Sequence, residues 1–176
     1  MRSIAKIALC IAACIGCAAA PAIFAQGSIA PEYNLKTAYL FHFLEFTTWP
    51  EHILDDASAL VICIDDHNPW RETLFVLEKR SVHERPIRIA GLSGATPSMC
   101  HVVLMRSDDI GLQKNFSSSQ TLPLIVSDDP AVPLEHTMIN LRVEDNRVVF
   151  SINNRKARAA EFEISSKLLR LARTVQ

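Results

Sequence analysis

The chain is built from short, wholly apolar runs that end abruptly in acid or amide residues. Ala59-Leu60-Val61-Ile62-Cys63-Ile64 is six apolar residues in a row, followed at once by Asp65-Asp66-His67. Cys100-His101-Val102-Val103-Leu104-Met105 has the same character, and so does Leu122-Pro123-Leu124-Ile125-Val126, which ends in Ser127-Asp128-Asp129. Runs of this length without alternation predict strands buried on both faces, each emerging at the carboxyl end of a parallel sheet. Pro123 stands near the start of its run, where proline is tolerated. His101, inside an apolar run, reads as a core histidine with a satisfied ring rather than as a ligand.

Helical patterns lie between the runs. Pro31 to Thr48 predicts a helix: Pro31 suits the first turn, and Glu32 complements the dipole there. Leu35, Ala38, Tyr39, Phe43 and Phe46 fall on one stripe, and Tyr33, Leu40 and Leu44 on a second. A helix apolar on two sides is buried between layers or shared with a partner. Trp49-Pro50 stops it. Asn68-Pro69 opens a second helix through Arg80, with Leu74, Val76 and Leu77 inward. Pro86-Ile87-Arg88-Ile89 alternates as a half-exposed strand does. Gly91 to Ser98 is loop. Ser107-Asp108-Asp109 caps a short helix to Asn115, and a polar loop runs to Thr121.

The last third changes style. Met138 to Val143 and Arg147 to Ile152 flank Glu144-Asp145-Asn146, a hairpin with Asp145 or Asn146 able to take a positive φ. Asn153 to Ala160 is a short helix carrying Arg155, Lys156 and Arg158. Ser165 caps a last helix over Lys167 to Arg173. Strands alternating with helices give an α/β fold with right-handed crossovers: a single-domain, three-layer sandwich with a mainly parallel sheet and an antiparallel C-terminal hairpin.

The first 26 residues are different material. Arg2 and Lys6 form a positive n-region, Ile7 to Ala20 an apolar h-region, and Ala22 and Ala25 are candidate cleavage sites. Residues 1–26 therefore read as a signal peptide and 27–176 as the working domain. The h-region is too short to span a bilayer. Ile11-Ala12-Ala13-Cys14 loosely resembles a lipoprotein signal, after a short apolar run. Cleavage removes Arg2 and Lys6, taking the formal charge from -1 to -3, since no other charged residue precedes position 27.

Export also settles the cysteine arithmetic. Of five cysteines, Cys10, Cys14 and Cys17 leave with the signal, and Cys63 and Cys100 remain in an oxidising compartment. Two cysteines allow one bridge, and adjacent strands bring Cα atoms into range of it. The alternative is two buried thiols acting as small hydrophobes.

Candidate chemistry is sparse. Paired acids end two predicted strands, Asp65-Asp66 and Asp128-Asp129, where ligands of open α/β sheets bind. With His67 they suggest a divalent-cation or small-ligand site, although aspartates after strands more often cap or solvate loops. No nucleophile elbow, zinc motif or phosphate loop is present, and the chain has five glycines. The six histidines are scattered. No basic run points to nucleic acid. A domain this poor in catalytic motifs reads as a binding or regulatory module, with no cofactor and no metal expected.

Longer segments carry a resemblance. Glu32-Tyr33-Asn34-Leu35-Lys36-Thr37-Ala38-Tyr39-Leu40, with Phe43, Phe46 and Trp49-Pro50, resembles the opening of the YfiR family. Cys63-Ile64, Cys100-His101 and Val126-Ser127-Asp128 resemble its middle. Met138-Ile139-Asn140-Leu141, Glu144-Asp145-Asn146-Arg147-Val148 and Ile164-Ser165-Ser166-Lys167-Leu168-Leu169-Arg170-Leu171-Ala172 resemble its close. The resemblance implies a periplasmic, homodimeric α/β repressor. Such a protein binds the periplasmic domain of an inner-membrane diguanylate cyclase, holds cyclic-di-GMP and biofilm formation low, and is released by envelope redox stress. It implies that Cys63 and Cys100 form the family's structural disulfide. It also implies a partner-binding face at Phe150, Ile152, Asn153 and Ala157. Some members carry a second cysteine pair near Pro133 and Asn140; this chain has none there.

Overall fold

The computed structural model of the chain describes residues 29–54, 57–93, 99–112 and 122–176. The signal-like segment, the end of the short helix read to Asn115 and the loop read at Asn115 to Thr121 lie outside the described residues.

The chain opens with helix α1 (Ile29–Glu45), strand β1 (Thr47–Thr48) and a helical turn α2 (Glu51–Leu54). Strand β2 (Leu60–Ile64) leads to α3 (Arg71–Leu74), which tightens into a 3-10 helix over Phe75–Lys79. Strands β3 (Ser81–Val82), β4 (Arg85–Gly91), β5 (Val102–Leu104) and β6 (Leu124–Ser127) follow, with a 3-10 helix over Ser107–Leu112 after β5. The close is β7 (Ile139–Glu144), β8 (Arg147–Ile152), α4 (Asn154–Ala159), β9 (Glu163–Ile164), α5 (Ser166–Leu171) and β10 (Thr174–Val175).

Eight strands form the main sheet in the order β10-β8-β7-β6-β5-β2-β4-β3. The five from β4 to β7 run parallel; β8 is antiparallel to β7, and β3 to β4. The mainly parallel α/β sheet and the antiparallel C-terminal hairpin are as the sequence predicts. The three apolar runs are its inner strands.

Among the described residues the two faces of the sheet are covered unequally. Leu60, Ile62 and Ile64 of β2, with Val102, Leu104, Leu124 and Val126, join one large core with Leu40, Phe43 and Leu44 of α1. The Phe43 and Phe150 rings meet there at 5.0 Å, and Trp49 meets Phe162 edge-on at 5.3 Å. Trp70 is fully buried, its indole N–H donating to Thr37 Oγ1 at 2.9 Å. The opposite face carries a smaller cluster of Cys63, Leu92, Cys100, Val103, Met105 and Ile125. Alternate residues of β2 thus feed different cores, as the two-residue period of a strand requires.

Several local expectations are corrected. The helix from Pro31 ends at Glu45, and Thr47-Thr48 instead pairs antiparallel with Glu163-Ile164. The helix read from Pro69 to Arg80 is one α turn followed by 3-10 geometry. The half-exposed strand at Pro86 is longer and belongs to a hairpin with β3, turning through His83 and Glu84 at φ 48° and 67°. Cys100 and His101 precede β5 rather than lie within it. In the β7–β8 turn both Asp145 and Asn146 take positive φ.

Replacing Phe43 by alanine empties a site walled by Tyr39 and Phe150. The expected loss is about 3–5 kcal/mol, read as a fall in the urea midpoint with the m-value unchanged.

Candidate functional site

The Cys63–Cys100 disulfide is formed: Cα–Cα is 5.7 Å and the separation 37 residues. Cys63 is fully buried and Cys100 nearly so. The bridge ties β2 to the segment entering β5, on the thinly covered face. The neighbouring His101 reinforces that junction. Its Nδ1 accepts the Val61 N–H at 3.0 Å, and its backbone N–H donates to the Val61 carbonyl. Burial lowers its pKa, so the ring stays a neutral acceptor. It is a satisfied structural histidine, as read. At Asn140, one of the positions where the resemblance expects a second cysteine, the buried amide donates to the Val132 carbonyl at 2.9 Å and accepts from the Thr137 hydroxyl. Hydrogen bonds hold the loop before β7 to that strand.

At the carboxyl ends of the parallel strands the sheet opens into a groove of about 460 Å³. The β7–β8 hairpin forms one wall, because β7 continues past the last residue of β6 that it pairs with. The start of α1 forms the other. Lys36 lies at the base, 3% exposed. Its ammonium meets Asp128 Oδ2 at 2.9 Å, contacts Glu32 one turn earlier, and sits 4.9 Å from the Tyr33 ring centroid. Burial opposes the charged ammonium, but the hydrogen bonds to Glu32 and Asp128 outweigh it, and the Lys36 pKa is raised. Burial, and then the Asp128 charge, raise the Tyr33 phenol. Asp129 accepts from the Ser107 N–H and hydroxyl and from the Ala131 N–H. Burial works against its charge, but these donors prevail and lower its pKa.

The four aspartates read as a possible cation or ligand set are not brought together. Asp65 Oδ1 accepts the His67 N–H in a local turn, and Asp66 pairs with Arg71 at 3.3 Å. Asp128 belongs to Lys36 and Asp129 to the loop after β5. Among the described residues no group of three or more His, Cys, Asp or Glu side chains is placed to hold a metal ion. Each carboxylate is held by its own separate partner.

The four positions assigned to partner binding fall on the turn from β8 into α4. Phe150, Ile152 and Ala157 are buried in the main core. Asn153 caps α4, its side-chain oxygen accepting the Lys156 N–H at 2.9 Å and its amide donating to the Leu134 carbonyl. These side chains shape the turn from within. What it displays is Arg155, Arg158 and Ala159, which are exposed. Beside it lies a groove of about 770 Å³, lined by Arg158, Glu161, Phe162 and Leu169 among others. Glu161 holds φ 63°, a left-handed conformation usual for glycine after a helix. Phe162 N–H donates to the Ala157 carbonyl and Glu161 N–H to Arg158, closing the helix end. No glycine stands at that stop.

The fold defines an α/β domain whose mainly parallel sheet is covered by helix α1 and tied by one disulfide. A family model for YfiR/HmsC-like proteins matches residues 33–173, and the chain belongs to that family, one of periplasmic regulators. No curated protein matches the chain. No helix among the described residues is long and apolar enough to cross a membrane.

Two outcomes test this region. Lys36→Met strands Asp128, whose side chain is 7% exposed, and is expected to cost about 3–5 kcal/mol. Adding Asp128→Leu restores part of that loss in urea unfolding. Because the Lys36 pKa is raised, its contribution is complete below the ordinary lysine value of 10.5 and fades only as pH climbs through the higher folded value. Separately, replacing both Cys63 and Cys100 by serine removes a loop closure of about 4 kcal/mol. In the native wild type, thiol reagent after brief mild reduction is expected to find no free thiol, and after unfolding and reduction, both.

Proposed function

We propose that residues 1–26 are a signal peptide and that residues 27–176 act in the periplasm as a homodimeric repressor. The repressor binds the periplasmic sensing domain of an inner-membrane diguanylate cyclase and holds it inactive, which keeps cyclic-di-GMP and biofilm formation low. Family membership across residues 33–173 is the observation that carries this reading.

The face assigned to the cyclase is the β8-to-α4 turn. Phe150, Ile152, Asn153 and Ala157 set its shape, and Arg155, Arg158 and the adjoining groove are what a partner meets. Such a repressor acts by binding the inactive cyclase better than the active one; each 1.4 kcal/mol or so of difference shifts that balance about tenfold. Redox stress enters through the amount of folded repressor. The bridge is buried, so it is lost when the protein fails to form or unfolds, rather than by reduction at the surface.

Deleting the chain in its host is expected to raise cyclic-di-GMP, with wild type restoring the low level. Arg158→Glu is expected to leave the melting temperature unchanged, abolish capture of the cyclase's periplasmic domain, and fail to restore. If deletion leaves cyclic-di-GMP unaltered and no periplasmic cyclase domain is captured, the proposal is wrong.

A further inference from the structure

The groove at the carboxyl ends of the parallel strands has a charge census that its net charge conceals. It is lined by four carboxylates, Glu32, Asp128, Asp129 and Glu144, and by three cations, Lys36, Arg106 and Arg142. Counted formally, its lining carries a net charge of -1. Sorted by which groups already hold a bonded partner among the described residues, the two left over are both cations. Glu32 and Asp128 are held by Lys36. Asp129 is saturated by three donors from Ser107 and Ala131. Glu144 pairs with Arg173 at 3.5 Å. The guanidinium groups of Arg106 and Arg142 make no hydrogen bond or ion pair among the described residues, and Arg106 reaches Asp129 and Tyr33 through its field. The Lys36–Asp128 pair beneath them is buried and so cannot swing out to neutralise a ligand or be displaced by one.

The geometry points to a binding site for a small oxyanion-bearing molecule, a phosphate ester or a carboxylate, held between Arg106 and Arg142 over the Lys36–Asp128 floor. The two arginines come from different elements, one just after β5 and one on the overhanging β7, and both line the groove. A guanidinium fork suits the planar or tetrahedral oxygens of such a group. Tyr33 adds an aromatic wall, its ring 6.3 Å from that of Trp70. A volume of about 460 Å³ is within the range of small-molecule sites. This site does not depend on the repressor reading, and it lies away from the β8-to-α4 turn.

Calorimetric titration of the purified, disulfide-intact protein with inorganic phosphate, and separately with succinate, tests it. Sodium chloride at matched ionic strength is the blank. A saturable heat is expected with at least one of the two, weakened roughly tenfold or more by Arg106→Gln and by Arg142→Gln. Arg88→Gln, on the exposed side of β4, is expected to bind as wild type. Arginine-dependent binding of phosphate assigns a phosphorylated ligand, and of succinate a carboxylate. No saturable heat with either, or full affinity in the Arg106→Gln/Arg142→Gln protein, overturns the site. Circular dichroism and the unliganded melting temperature confirm that the variants fold. No cyclase is present, so this outcome and that of the repressor test are read independently.

Discussion

A parallel strand buried on both faces needs two covers, and among the described residues one cover is much larger than the other. Residues 60, 62 and 64 of β2 face the main core that includes α1, where Leu40, Phe43 and Leu44 are all fully buried. Residue 63 faces the other way, into a cluster of six buried side chains. Two of those six are the bridged cysteines. The covalent bond sits in the smaller of the two described clusters, and the His101 hydrogen bonds to Val61 continue the same join toward the start of β2. Where packing is dense the chain relies on Phe43 and Phe150. Where it is thin, the disulfide limits the unfolded ensemble instead.

That division also explains what could be read from the residues beforehand. The apolar runs, the hairpin marked by Asp145-Asn146 and the cap at Ser165 were legible because each rests on local chemistry: strand burial, a left-handed turn, a helix start. The β3–β4 hairpin was not, since its turn is His83-Glu84, without the glycine or asparagine that usually occupies positive φ. The two-residue strands β1, β9 and β10 have no periodicity to detect; Thr47-Thr48 becomes a strand because Glu163-Ile164 arrives beside it. The second helix was overcalled because Leu74 and Leu77 suit either helical geometry. At the site, the paired acids were visible but their partners were distant. Asp128 finds Lys36 ninety-two positions away, and Asp129 finds Ser107 across twenty-two. Only the folded chain shows those charges as already satisfied, and so shows which arginines are not.

The sheet's edges are closed by different means. At one side the outward N–H of Ile89 is taken by the Glu78 carboxylate at 3.1 Å, and β3 covers the start of β4. At the other, β10 pairs with the last two residues of β8, and the Gln176 N–H donates to the Ile152 carbonyl. Both edge strands are two residues long, too short to template a neighbour. Association through the face proposed at the β8-to-α4 turn would therefore rest on side chains and the groove beside it, more than on adding a strand to the sheet.

The two surfaces lie at opposite ends of the sheet. Because β8 runs antiparallel to β7, Ile152 pairs with Ile139 at the amino end of the parallel strands, while Asp128 and Arg106 stand at their carboxyl end. Helix α1 runs between them. Glu32 and Lys36 near its start reach the groove, Tyr39 and Phe43 pack on Phe150, and the chain after its last turn pairs with β9. Its 17 residues span about 25 Å. A molecule held by Arg106 and Arg142 alters partner affinity only by the difference in its binding to two arrangements of that path. The salt bridge of Lys36 with Asp128 and the ring contact of Phe43 with Phe150 fix the helix at both ends, so coupling requires α1 to move as a unit. A ligand that leaves α1 in place binds and changes nothing at the far end, however tightly it is held.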